Sequence, residues 1–367
     1  MRYLPIVFVV LGSVSAGEPA YPLWDGSESV AEYAKKVNLP PTKTLDLGNG
    51  VNMELVLIPA GKFIMGTPEP TPVDEEGCLK KIVIGQALLA TSTVALLVML
   101  ALITIQAIRK RQRPKYSLLW LLLVTAMAGG CVLSGVHWRQ SLRGLETAQS
   151  EYAAAQARFQ SADDTEKPAH TVILTKPFYV GKFVVTQEQY QAVVGTNPSN
   201  FKGKDNPVEQ VSWDDAQAFC KKLTEQSKQA VRLPTEAEWE YSCRAGTTTS
   251  YYSGDSEASL ARVAWYSENS NGATHPVCQK EPNAFGLYDM HGNVWHWCDD
   301  WYGHDYYGKS DAENPHGPAN GDSHVLRGGS WRGGPGRCQS AFRDWFNPDG
   351  RSSFGGFRVV VPVLRTP

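Results

Sequence analysis

The amino-acid sequence predicts an α+β fold with little regular secondary structure, joined to a transmembrane helical hairpin. Three observations carry that prediction. The 367 residues include 33 Gly, 23 Pro and 11 Trp, a mix that suits long loops ordered by aromatic packing and does not suit a helix bundle, whose interiors exclude Gly and Pro. Two long apolar runs, 82–108 and 118–136, carry no charged side chain. Short alternating segments and helix-start signatures are scattered through the rest. The formal charge of -2 offers no basic face for nucleic acid. No HExxH, GxSxG or P-loop pattern occurs.

The elements follow in chain order. Arg2, the apolar stretch from Tyr3 to Val14 and the small residues ending at Ala16 predict an export signal over residues 1–16. Residues 17–50 read as a surface linker with one short helical piece from Ser27 to Lys36. Met53 to Thr67 alternates as a strand and ends in Gly-Thr. Ile82 to Ile108 would reach about 40 Å as a helix, more than the ~30 Å hydrocarbon core. Leu118 to Val136 is the second span, and its Gly129-Gly130 pair lets two helices approach closely. The loop 109–115 between them carries Arg109, Lys110, Arg111, Arg113 and Lys115, which places it in the cytoplasm and both flanks on the exported side. Residues 139–162 predict a juxtamembrane amphipathic helix, with Leu142, Leu145, Ala148, Tyr152, Ala155 and Phe159 on one face.

The remaining chain is a series of recognisable blocks. Glu166-Lys167-Pro168-Ala169-His170 and Val185-Thr186-Gln187 follow the hairpin. In Pro207 to Ala216, Ser212 caps a helix whose first turn holds Asp214 and Asp215 and whose inner face is Ala216, Phe219, Cys220 and Leu223. In Arg232 to Tyr241, Thr235 is an N-cap with Glu238 as its capping-box partner, and Trp239 opens the buried face. Asn283 to Trp295 is a third block, and Leu326 to Arg358, with GGSW, a lone Cys338, Arg343, NPD and GGFR, is the last. In this order the blocks resemble the formylglycine-generating enzyme, or sulfatase-modifying factor, family. The resemblance implies a mixed α/β fold related in outline to C-type lectins. It covers 51–67 and 164–361, which makes 51–67 and 164–367 one domain and 68–163 an insertion in its first loop. Loop-closure entropy grows only slowly with length, so a loop tolerates such an insertion.

The resemblance also implies chemistry. Oxidases of the family use O2 and a Cu(I)-binding cysteine pair to convert a sulfatase cysteine to formylglycine. Soft Cu(I) suits two thiolates. Counting from Ser330, the pair falls on Gly333 and Cys338. Counting back from Arg343 and the NPD turn, Cys338 instead falls near a structural disulfide cysteine of the family. Neither count supplies two thiols, so Cys338 is the one catalytic candidate. Trp331 and Arg343 are candidates for the substrate groove. Calcium, which the family carries near this block, would take Asn293 and the Val294 carbonyl, with His296 where the family has Glu. Cys220, Cys243 and Cys298 are disulfide candidates, with a bridge from Cys338 to Cys243 or Cys298 among the pairings. Two functions stay open: an oxidase acting on exported sulfatases, and a membrane-tethered scaffold that binds polypeptides on the same fold without copper chemistry. Iron-dependent sulfoxide synthases rank behind both, because no His triad spacing exists. The expected location is the membrane, with the globular domain on the exported side and the lipid bilayer contacted through the hairpin.

Overall fold

A computed structural model describes residues 21–70, 136, 139–140, 143–144 and 146–363. The expected export signal, the basic loop and, apart from Val136, both expected spans lie outside the described residues. Among the described residues, no helix is long and apolar enough to cross a membrane. The chain divides into two compact units, Met1–Pro68 with Ala162–Pro367, and Glu69–Ser161. In the second unit residues 146–161 are helical, and Ala148, Tyr152, Ala155 and Phe159 are among the half-buried positions of that helix, the face the periodicity predicts.

The first unit contains two four-stranded sheets. One runs in the spatial order Thr42–Asp46, Asn52–Ile58, Phe178–Gly181, Val360–Pro362, antiparallel throughout. The other runs Arg343–Phe346, His324–Arg327, Trp295–Trp301, Gly355–Gly356. Residues 17–50 are therefore not a linker. Their described part supplies an edge strand, a helix at Val30–Lys36 capped by Ser29, and buried Tyr33, Ala34, Leu45 and Leu47. The helical piece expected from Ser27 to Lys36 is there, but the edge strand was missed because Lys, Thr and Asp dominate it and only one of its faces is apolar.

The expected strand from Met53 to Thr67 is two strands. Asn52–Ile58 stays in the first sheet, and after Pro59-Ala60 the chain turns so that Gly61–Met65 pairs with His170–Leu174. Proline cannot donate to a ladder. Gly61 is required where it stands, because a Cβ there would collide with the Tyr241 hydroxyl. Met65 sits opposite His170, so the two ends of the inserted residues meet.

The helix starts expected at Ser212 and Thr235 are present, and Thr186 adds one that was not expected. Thr186, Ser212 and Thr235 each close a capping box. On the helix Trp213–Ser227, Ala216, Phe219, Cys220 and Leu223 are the buried face. The helix Glu236–Arg244 is different: every residue on it is buried. Glu236 and Glu240, one turn apart, both point into the protein. Arg343 donates from Nε and Nη2 to Glu236 at 2.6 and 2.9 Å. Arg244 bridges Glu240 at 2.8 Å, and Arg327 closes the network on the other Glu240 oxygen. Burial works to raise the Glu240 carboxyl, but Arg244 and Arg327 overcome it and hold it below the usual carboxylate range.

Candidate functional site

The strand His324–Arg327 delivers the chain to its most irregular stretch. Arg327 is fully buried, and besides its carboxylate it binds the carbonyls of Ser340, Ala341 and Phe342. One side chain thus fixes both the entry and the exit of the segment 328–340. Gly328 and Gly329 then take positive φ of 95° and 77°, a conformation that favours glycine. A Cβ at Gly329 would stand 2.6 Å from the Cys338 sulfur, so the close approach demands glycine as well. A turn closes when Gly333 N–H donates to Ser330 O at 3.0 Å. A short 3-10 helix, Pro335–Cys338, returns the chain to the interior.

This path shapes a cavity of about 310 Å³ lined by Trp295, Ser330, Arg332, Gly333, Gly334, Arg337 and Phe354. Trp295 N–H donates to Phe354 O at 2.7 Å, which joins the two aromatic walls. Gly333 lies on the cavity. Cys338 does not line it: the side chain is 0% exposed and packs with Tyr251, Leu260, Val263 and Tyr266. Burial pushes its thiol up to about 12, against the opposing pull of the Ser330 and Gly292 backbone N–H groups. The two places the first count assigns to the thiol pair are thus a glycine at the cavity and a protonated thiol behind its floor.

Trp331 is half-buried, donates to Ser353 O at 2.8 Å and meets Phe201 edge-on at 5.3 Å. It is not among the residues that line the cavity. Arg343 does not line the cavity either. It is buried against Glu236 and also donates to Thr165 O and Gly303 O. Sequence reasoning picked Trp331 and Arg343 from the right segment but missed Arg332, Arg337 and Phe354, which are the side chains that face the cavity. Arg332 and Arg337 flank the only Gly-Gly-Pro-Gly run of the segment, and that run is the signal that marks a turn opening outward.

The five described cysteines are all free. The expected bridges among Cys220, Cys243, Cys298 and Cys338 do not form: the four thiols are free and are spread over three core clusters. Cys220 belongs to the core of the first sheet. Cys243 and Cys298 lie in the second core cluster, and Cys338 in a third. Cys243 sits 3.7 Å from His291 Nε2 and 3.7 Å from the Ser340 hydroxyl. His291 has both ring nitrogens committed, donating from Nδ1 to Cys338 O at 2.7 Å and accepting at Nε2 from Tyr252 N–H at 3.2 Å. Burial holds this imidazole neutral, down to about 3.

Neither metal fits the donors present. Cu(I) would need a second soft ligand beside Cys338, and no metal-type cluster of three His, Cys, Asp or Glu exists among the described residues. Asn293, the calcium candidate, has its side-chain amide engaged within the protein. Its Oδ1 accepts from His275 N–H at 3.0 Å, and its Nδ2 donates to His275 O at 2.9 Å. It clamps one loop to another with its whole amide. His296 accepts Trp239 Nε1–H at 2.8 Å and is a buried, neutral imidazole, its pKa driven well down by burial, not a hard oxygen donor. Val294, whose carbonyl was the second calcium candidate, is fully buried.

A second cavity, about 500 Å³, lies by Asn49, Val51, Gln187, Gln191 and Lys204. Its most buried polar group, Gln187, is already bonded to Phe201, Pro207, Asn197 and Gly203.

Comparison with known proteins agrees with the fold. Residues 131–363 match the Sulfatase-modifying factor enzyme 1-like domain. The chaperone protein LppX of Paenibacillus barcinonensis is 30% identical over 233 residues, 50% of this chain and 79% of that protein. The formylglycine-generating enzyme of Streptomyces coelicolor is 38% identical over 178 residues, 44% of this chain and 55% of the enzyme. The match therefore spans about half of that enzyme's length. Among solved structures, Treponema denticola variable protein 1 superposes with a TM-score of 0.59 at 26% identity, covering 88% of this chain and 100% of that one. The motifs, the loop-rich two-sheet fold and these matches lead to one assignment: the chain belongs to the sulfatase-modifying factor family.

Proposed function

We propose that this family member is a polypeptide-binding module that does not carry out copper oxidation, tethered to a membrane by the inserted residues. One observation carries the reading. The sulfur of Cys338 is fully buried beneath Gly329, and the other place of the thiol pair is Gly333, bare at the cavity. A fully enclosed thiol, with no second soft donor beside it, is a poor Cu(I) site and is out of reach of a substrate sulfur. The cavity itself has two aromatic walls, Trp295 and Phe354, and an open mouth, and can seat a side chain of a bound segment. Tethering rests on the uncharged runs 82–108 and 118–136, and the exported orientation on the basic loop 109–115.

The test uses the full chain in detergent. It is titrated with Cu(I) against a chromophoric chelator, then incubated aerobically with a peptide of the CxPxR type. The expected result is no stoichiometric copper and no aldehyde by mass spectrometry. Copper at one equivalent, with aldehyde formation lost in Cys338→Ser, would establish the oxidase instead.

A further inference from the structure

We infer that the cavity at Ser330 takes an acidic side chain of a bound polypeptide, held between Arg332 and Arg337; this rests on the binding reading above and names its ligand class. The residues that line the cavity include two guanidinium groups and no carboxylate. Arg332 lies over the Phe354 ring, 6.0 Å from its centroid, and has no carboxylate within ion-pair distance among the described residues. Arg337 is 62% exposed, and its one acidic neighbour, Asp344, stands off at 3.8 Å. Exposed pairs at that separation contribute little, so an incoming carboxylate competes easily.

The floor suits the same ligand. Ser330 is buried at 2% exposure, and its hydroxyl has no partner among the described residues. Gly333 and Gly334 bring main chain to the cavity wall without side chains in the way. Arginine's planar fork grips a carboxylate at two points. Trp295 and Phe354 then cover the apolar stem or a neighbouring apolar residue. The nearby carboxylate on Glu268 is held by Ser267 Oγ at 2.7 Å, while Ser267 N–H binds Gly333 O at 3.0 Å. That turn therefore adds no ion pair to either arginine, and Asp344 is the one carboxylate near Arg337.

The experiment is selection of a displayed random decapeptide library on the immobilised full chain in detergent, with affinities of selected synthetic peptides measured by fluorescence anisotropy. The expected result is enrichment of Asp or Glu beside an apolar residue, and affinity that falls as salt rises. Arg332→Gln with Arg337→Gln weakens those peptides about tenfold. Both arginines are exposed, so these variants keep their fold, checked by circular dichroism. Arg332→Glu with Arg337→Glu redirects selection toward Lys and Arg. Enriched peptides without acidic bias, or unchanged affinity in the glutamine variants, would overturn the inference while leaving the binding module in place. Enrichment of no peptide at all overturns both.

Discussion

Arg343 and Glu236, 107 positions apart in the chain, form a two-point ion pair in the protein interior, at 2.6 and 2.9 Å with both side chains nearly inaccessible. Arg343 also lies 4.3 Å over the Tyr307 ring. The pair ties the strand after the cavity segment to the helix that begins at the RLPTEAEWEY block. Through Arg327, held by the same helix, the strand before that segment is tied as well. The cavity therefore hangs between two arginines anchored on one helix.

Removing one partner of such a pair leaves a buried, uncompensated charge. Arg343→Met is expected to destabilise the domain by about 3–5 kcal/mol. Glu236→Gln strands the guanidinium and has a similar cost. Replacing both, Arg343→Met with Glu236→Leu, recovers much of the loss, because a buried pair is weak evidence for net stability. Urea unfolding of the two singles and the double decides it. Additive losses in the double would show that the residues do not act as a pair.

Several features of this arrangement were legible in the sequence. Ser212 and Thr235 announce helix starts through contacts three residues away, and the inner face of the Trp213 helix follows from its periodicity. Glu236 and Glu240 were not legible as an anion pair. On a helix, charges at that spacing usually mark a solvated face, and apart from Arg244 their partners, Arg327 and Arg343, are about a hundred residues away. The orientation of Cys338 was equally hidden. Counting residues from Ser330 gives a position, whereas the side of the chain on which the sulfur lies is set by Gly329 and by the Arg327 clamp on residues 340–342. Arg343 was misplaced for the same reason: its segment was right, but only the fold decides which arginines turn inward.

Buried histidines give the domain an acid limit. The His291 imidazole falls from its ordinary value of 6.5 to about 3 through burial, with the Cys338 carbonyl opposing and Arg244 reinforcing. A depressed folded-state value means that the unfolded chain binds the proton first. The contribution is therefore complete above pH 6.5 and is lost as pH falls toward 3, on the order of 4 kcal/mol. His296 acts in the same direction. Asp289 and Asp300 are raised by burial and act oppositely, so the difference between variants is the clean measurement. In His291→Gln the fall in melting temperature between pH 7 and pH 4.5 is expected to be shallower than in the parent. Equal slopes would place the acid limit elsewhere.

Cys338 and Gly333 separate packing from chemistry. Cys338→Ala removes a buried sulfur and costs about 1 kcal/mol, with peptide capture unaltered. Gly333→Cys is tolerated, since its Cβ would meet Arg337 Cβ at an ordinary 3.5 Å. Iodoacetamide mapped by mass spectrometry is expected to modify the new Cys at 333 readily in the native protein. Exposed Cys278, whose thiol burial of its surroundings pushes up to about 11, reacts slowly. Cys220, Cys243, Cys298 and Cys338 react only on unfolding. Native-state labelling of Cys338 would show that its sulfur reaches the cavity and would reopen the oxidase.

The inserted residues are expected to be removable. Both their ends are welded to the domain. Thr67 Oγ1 donates to Glu166 Oε2 at 2.6 Å, and Thr67 N–H to Glu166 O at 3.2 Å. Arg244 binds Gly66 O at 3.0 Å, and Arg343 binds Thr165 O at 3.0 Å. These contacts belong to the unit Met1–Pro68 with Ala162–Pro367, and none requires the residues between. Closing the gap with a short Gly-Ser linker costs little, because loop entropy changes slowly with length. Deletion of Glu69–Ser161 should leave the melting temperature of the domain within a few degrees of the parent and preserve selection of acidic peptides. The tethering proposal adds a second readout: the parent partitions with detergent, whereas the deletion variant stays in the aqueous phase. A variant that fails to fold would mean that the insertion stabilises the domain. A folded variant that still partitions with detergent would move the membrane contact elsewhere in the chain.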